Sequence, residues 1–203
     1  QLNGFKSFAD KTSFLIEDGL TGIVGPNGCG KSNIVESLRW VMGETSAKSM
    51  RGSGMEDVIF SGTSNKSSKN IAEVSVTVAN ENNEGPVQFR DFDEISVRRK
   101  IEKDKGSKFY INDKEVRARD AQMFFADLST GAHSPSMISQ GRIGALVTAK
   151  PTDRRAILEE AAGISGLHVR RHEAELRLSA AENNLKRADE LRRQQEKQIA
   201  NLQ

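Results

Sequence analysis

The chain has 203 residues, 36% hydrophobic and 29% charged, with 30 Lys and Arg against 28 Asp and Glu for a net charge of +2. That balance excludes a uniformly basic nucleic-acid-binding tail, so any phosphate-seeking surface has to be local. No run approaches the roughly 18 apolar residues of a membrane span, which argues against a membrane partner, and the lone Cys29 offers neither an intrachain disulfide nor a zinc framework, the pattern of a reducing, cytoplasmic compartment.

Residues 1 to 24 set Leu2, Phe5, Phe8, Phe14, Ile16, Leu20, Ile23 and Val24 among Gly4, Asp10, Asp18 and Gly19, a spacing that predicts short strands and turns, with a strand running into Gly25. Beyond the glycine loop, Ile34, Val35, Leu38, Val41 and Met42 share one helical face, which Gly43 ends. Ser46 to Gly62 reads as a glycine- and serine-rich loop with a short strand at Val58 to Phe60. Val74, Val76 and Val78, then Ile95, Val97, Arg99 and Ile101, then Phe109 and Ile111 alternate with polar residues and predict an antiparallel meander. Ala121, Phe124, Phe125 and Leu128 mark a second helix over Asp120 to Leu128.

From Leu167 onward there is neither Gly nor Pro. A seven-residue register runs through Leu167, Arg171, Ala174, Leu178, Ala181, Leu185, Ala188, Arg192, Gln195, Ile199 and Leu202, flanked by Arg, Glu and Lys. That is a coiled-coil strand, roughly 55 Å long at the helical rise, and it has to leave the globular body. We therefore divide the chain into a compact lobe, 1–165, and the start of a coiled-coil arm, 166–203. The chain opens on Gln1 and ends on Gln203 in mid-pattern, so we read it as a piece of a longer polypeptide.

Gly25-Pro26-Asn27-Gly28-Cys29-Gly30-Lys31-Ser32 matches G-x-x-x-x-G-K-[ST], the phosphate-binding loop. Glycines let successive backbone N–H groups turn inward around a phosphate, and the following helix adds its positive end. Lys31 adds a full charge and the Ser32 hydroxyl is an oxygen ligand for Mg²⁺. Together with Asn33 these residues form the candidate site for ATP and Mg²⁺, in which Cys29 contributes only its backbone.

LNGFKSFAD (2–10), GPNGCGKSNIVESLRWVMGE (25–44), MRGSGMEDVIFSGT (50–63), SMISQGRI (136–143) and RRAILEEAAGISGLHVRRHEAELRL (154–178), in this order, closely resemble the N-terminal half of a bacterial SMC (structural maintenance of chromosomes) protein. The resemblance implies an α/β fold: an ABC-type P-loop NTPase half-head with an antiparallel β meander, followed by an emerging coiled-coil helix. It implies that Gln140 is the Q-loop glutamine, a Mg²⁺ ligand that senses the γ-phosphate, and that Arg51 is the R-loop arginine near nucleotide and DNA. Lys31 and Gln140 are then the residues of this segment nearest the chemistry. It also implies the partners: the C-terminal half of the same chain, a second copy engaged through hinge and heads, a kleisin subunit at the neck, and DNA bound without regard to sequence in the nucleoid. Neither an LSGGQ-like signature nor an apolar strand ending in Asp-Glu occurs in these residues. The segment therefore has the cradle and lacks the hydrolytic base.

Two other features have plainer readings. Arg98, Arg99, Lys100, Lys103, Lys105 and Lys108, with Arg117 and Arg119, are either a solvated face or a phosphate-contacting one. His168 and His172 lack a third ligand nearby and, like His133, read as solvated. A double-strand-break repair ATPase with a Cys-x-x-Cys hook, and a non-hydrolysing coiled-coil interaction protein, remain alternatives to the chromosome-condensation reading.

Overall fold

The computed structural model describes residues 1–80, 87–128, 137–138, 144, 147–162 and 165–200. Alternating Val and Ile build the centre: β1 (Leu2–Asn3), β2 (Ile71–Ala79), β3 (Glu94–Glu102), β4 (Gly106–Ile111) and β5 (Lys114–Val116) form one antiparallel sheet in chain order. Its register places Val74 opposite Arg99 and Val97 opposite Ile111, so a single face of the pleat is buried. Four helices stand among the described residues: α1 (Lys31–Val41), α2 (Ala118–Asp127) and α4 (Ser165–Ala200) where the spacing predicts them, and α3 (Pro151–Ala161), which it does not. α1 lies against β2 and β3, and α2 against β4.

Between the sheet and α1 sits the core. Phe5 and Trp40 are both fully buried with ring centroids 5.4 Å apart, and Val41, Met50, Val58, Phe124 and Phe125 close around them. Each such large apolar side chain contributes roughly 2 to 3 kcal/mol on burial. The buried stripe of α1 is not the one its hydrophobic spacing indicates: Glu36, Ser37 and Trp40 are buried beside Ile34 and Val41, while Val35 and Leu38 are half-buried. The helix is turned toward Trp40 because that ring has the sheet to pack on and Leu38 has no facing layer within the described residues.

The strand expected before Gly25 does not form. Residues 13 to 30 carry no regular structure, and Leu20 and Val24 are 100% and 94% exposed. A strand needs a neighbour to take its N–H and C=O groups, and none of the described strands runs beside this segment. The apolar run is present in the sequence, and no described strand lies beside it to pair with. The expected strand at Val58 to Phe60 reduces to a 3₁₀ turn (Met55–Val58) and a single bridge between Ile59 and Phe5.

α4 is 36 residues long, about 54 Å at 1.5 Å per residue, and Leu178, Leu185 and Ile199 stand exposed along it. Among the described residues no helix is long and apolar enough to cross a membrane.

Candidate phosphate-binding site

The glycine loop reaches α1 through two left-handed residues, Gly28 (φ +81) and Gly30 (φ +96), conformations that cost any residue with a Cβ. At Gly30 a Cβ would also lie 2.3 Å from Ser7 Oγ, so that hydroxyl, which accepts from Asn33, would have to turn aside. Gly30 is the N-cap residue of α1 and supplies no side-chain cap, and the first turn holds no acidic residue. The helix start therefore keeps its orphan N–H groups and positive end for an external anion. Lys31 folds back over the loop: Nζ donates to the Gly25 carbonyl at 2.5 Å and the Pro26 carbonyl at 2.6 Å, 3.8 Å from Cys29 Sγ. Asn33 closes the turn through its backbone N–H on Gly30 O at 2.9 Å, and its side chain donates to Ser7 Oγ at 2.9 Å. A glycine cradle, an uncapped helix start, an ammonium and the Ser32 hydroxyl fit a Mg²⁺-nucleotide; the side chains of Cys29 and Asn33 are turned to other tasks.

A second loop meets α1 one turn further along. After the 3₁₀ turn Lys48–Met50, Arg51 takes a left-handed conformation (φ +55), and its Nε donates to Glu36 Oε1 at 2.9 Å. The following turn is held by one carboxylate. Asp57 Oδ2 accepts the Ser53 N–H at 2.6 Å, the Ser53 hydroxyl at 2.9 Å and the Gly54 N–H at 2.9 Å. Those bonds, that from Gly54 first, hold the Asp57 carboxyl below its ordinary range. Ser32, Glu36, Arg39 and Arg51 line a common cleft of about 210 Å³. The structure thus brings Ser32 and Arg51 to one cavity, whereas Gln140 lies outside the described residues, as does His133.

The basic run divides. Arg99 is buried: its guanidinium lies 4.5 Å over the Trp40 ring and 4.6 Å over the Phe109 ring, and Nη1 donates to the carbonyls of Trp40 and Glu44, each at 2.7 Å. It ties the C-terminal end of α1 to the sheet and contacts no solvent face. Arg98 pairs with Glu73 at 3.3 Å and Asp113 at 2.9 Å, and Lys108 with Glu115 at 3.0 Å. The outer face of the sheet is therefore charge-balanced, with Lys100 flanked by Glu73 on one side and Lys108 on the other.

Sequence reasoning missed Ser7, Lys6, Glu36 and Asp57. Only Glu36 left a trace in the sequence, as the one acid of α1, set between Val35 and Ser37. Its partners come from 30 residues earlier and 15 later, which no local pattern encodes.

The family model for the RecF/RecN/SMC N terminal domain matches residues 1–143. A chromosome partition protein Smc from Cereibacter sphaeroides is 58% identical over 191 residues, 94% of this chain and 17% of that protein, and one from Rhodopseudomonas palustris is 54% identical over 202 residues, 100% of this chain and 18% of that protein. The chain thus spans about a sixth of the length of the curated relatives it matches. Among solved structures, a Pyrococcus furiosus Smc head domain with an extended coiled coil, bound to the C-terminal domain of ScpA, superposes with a TM-score of 0.74 at 32% identity, covering 94% of this chain and 47% of that one. A structure described under ATP-driven dimerization and DNA stimulated activation of SMC ATPases gives a TM-score of 0.68 at 31% identity, covering 79% of this chain and 95% of that one. The chain belongs to the RecF/RecN/SMC N-terminal domain family, as the N-terminal half of an SMC-type α/β ATPase head.

Proposed function

We propose that this segment is the ATP-binding half of the head of a chromosome-partition ATPase, in which ATP binding engages two heads and hydrolysis parts them. The observation that carries the reading is the glycine loop at an uncapped helix start, with Lys31 folded over it and Ser32 opening α1. In the bound state the backbone N–H groups of Gly25 and of Asn27 to Ser32 and the Lys31 ammonium would hold the phosphates, and Ser32 and Gln140 would hold Mg²⁺, which would supply charge neutralisation at the transferred phosphate. Neither an LSGGQ-like signature nor an apolar Asp-Glu strand is encoded here, so the C-terminal half of the longer chain and an opposing head supply them. On this reading residues 1–165 are a lobe of the head and 166–203 the neck that begins the arm.

Related proteins support the wider assignment. One solved relative is described by ATP-driven dimerization and DNA-stimulated activation, and another was solved bound to the C-terminal domain of ScpA. We extend these to this chain as homodimeric head engagement, sequence-independent DNA contact, a kleisin subunit on the neck, and action on the nucleoid in the cytoplasm during chromosome condensation and segregation. The repair-ATPase and interaction-protein alternatives are not favoured, because the curated relatives are chromosome partition proteins.

Replacing Lys31 with Ala removes charge-assisted bonds worth roughly 1.5 to 3 kcal/mol, so titration calorimetry on the full-length protein should show ATP affinity falling about 10- to 100-fold. Residues 1–203 alone should turn over no more ATP than their Lys31→Ala counterpart. Unchanged affinity, or clear turnover by the segment, contradicts the proposal.

A further inference from the structure

The chain has two Asn-Gly dipeptides, Asn3-Gly4 and Asn27-Gly28. Glycine after asparagine leaves the peptide nitrogen uncrowded, because no Cβ stands beside it, and that nitrogen can close on the asparagine side-chain carbonyl. The fold treats the two pairs differently. Asn3 lies in β1, paired with Glu73, and Gly4 packs so close to β2 that a Cβ there would stand 2.2 Å from the Ile71 carbonyl oxygen. Asn27 and Gly28 are both exposed in the phosphate loop, and a Cβ on Gly28 would meet nothing within 4 Å. Among the described residues neither the Asn27 amide nor the Gly28 N–H has a hydrogen-bond partner. Positive charge stands on both sides of the pair. The Lys31 ammonium sits on the carbonyls of Gly25 and Pro26, and the uncapped start of α1 follows directly. Both favour an anion at the loop, and a Gly28 nitrogen that has given up its proton is an anion. The field that suits a phosphate oxygen therefore also suits the nucleophile of this ring closure.

We propose that Asn27 is a self-modification site: the empty loop converts this asparagine to aspartate or isoaspartate, and a bound nucleotide prevents it. The Gly28 nitrogen loses its proton and attacks Asn27 Cγ. An N–Cγ bond forms, the Cγ–Nδ2 bond breaks, and the amide nitrogen takes up the proton and leaves as ammonia. Water then opens the cyclic imide. Cleavage of the new N–Cγ bond gives aspartate, and cleavage of the original peptide C–N bond gives isoaspartate, with the chain rerouted through Cγ. Nothing is oxidised or reduced, and water is the co-reactant. Either product sets a carboxylate among the groups that would hold phosphate, and isoaspartate also adds a methylene to the backbone between successive N–H groups of the cradle. A nucleotide in the loop engages the Gly28 N–H and neutralises the field, so occupancy suppresses the reaction. That protection rests on the reading of the loop as a nucleotide site, whereas the reactivity of the empty loop does not.

The test is peptide mass spectrometry of the full-length protein aged at physiological temperature and pH, with and without Mg²⁺ and a non-hydrolysable ATP analogue whose Kd is measured by calorimetry. The tryptic peptide 12–31 holds Asn27 as its only side-chain amide, so a gain of one amide-to-acid conversion there reads this residue alone. Asn3 carries the same dipeptide and reacts only when β1 opens, so in the unliganded protein Asn27 should convert at least about 10-fold faster. Analogue at about 100 times its Kd leaves about one loop in 100 empty and should slow Asn27 about 100-fold. Asn27→Asp, which carries the carboxylate of the product, should bind ATP at least about 10-fold more weakly than wild type. An intact Asn27, or equal rates at Asn3 and Asn27, overturns the proposal. Conversion that runs as fast with the analogue bound as without it does so too, as does an Asn27→Asp protein with wild-type affinity. A protein that converts Asn27 first yet binds no nucleotide overturns the loop reading and with it the protection, which separates that failure from the others.

Discussion

Arg99 shows how far a residue's place can lie from its apparent chemistry. In the sequence it is one of a basic run; in the fold it is a cation sandwiched between Trp40 and Phe109 that satisfies two carbonyls at the end of α1. Burial pulls its pKa down from the ordinary arginine value to about 10, against the opposing pull of Glu44. Both folded and unfolded chains keep the proton near neutrality. Only above about pH 10, up to the ordinary arginine value, does the unfolded chain bind more protons, so there, and only there, this group makes stability rise with pH. Arg99→Ala leaves those carbonyls unmet and a cavity between two rings, a loss on the order of 3 kcal/mol. Hydrogen exchange of the full-length protein should then show α1 and β3 opening together; wild-type protection would contradict the account. Gly30 makes the opposite point, since its importance is legible in the motif and its reason is not. The motif says glycine, whereas the structure adds Ser7 beneath it, so Gly30→Ala should distort the loop even where backbone strain alone would be tolerated, and nucleotide affinity measures it.

Among the elements, the Arg51–Val58 stretch is held by polar bonds more than by packing. The Asp57, Asp10 and Glu102 carboxyls all lie below their ordinary values, Asp57 through the Gly54 and Ser53 bonds, Asp10 through Lys66 and Glu102 through Lys105. A carboxyl whose folded pKa is depressed contributes stability above its unfolded value, and that contribution is lost as pH falls through the folded one. Asp57→Asn should therefore lower the melting temperature at pH 7, by a margin that shrinks as pH falls below the ordinary value of 3.8 and through the lower folded one. A difference that persists unchanged in acid would show that shape and not charge holds the turn. The meander and the positions of α1, α2 and α4 were legible because period-2 and helical spacing are local signals. The orientation of α1 was not, because Trp40 outweighs Leu38 only once the sheet and Arg99 are beside it. The Glu36 cluster was not either, since Lys6, Glu36 and Arg51 meet only in three dimensions.

At the scale of the molecule, the segment leaves its own apolar chain uncovered. Phe14 to Val24 enters the phosphate loop without a strand partner, and Leu20 and Val24 are bare. We expect the longer chain to supply both the neighbouring strand and the cover, so that the loop is held taut only in the complete head. Amides 14–24 should exchange freely in residues 1–203 and be protected in the full-length protein; equal exchange in both would deny that dependence. The phosphate cradle was legible in one short motif because its glycines and Lys31 are local, whereas a strand needs a neighbour and none of the described strands lies beside residues 14–24.

The most direct measurement is hydrogen exchange of the full-length protein with and without Mg²⁺-ATP, read at the loop and the Arg51 turn. Protection of residues 25–33 together with 49–52, absent from the Lys31→Ala protein, is the predicted result. Protection elsewhere, or at neither segment, would contradict the assignment of this loop as the nucleotide-holding half of the head.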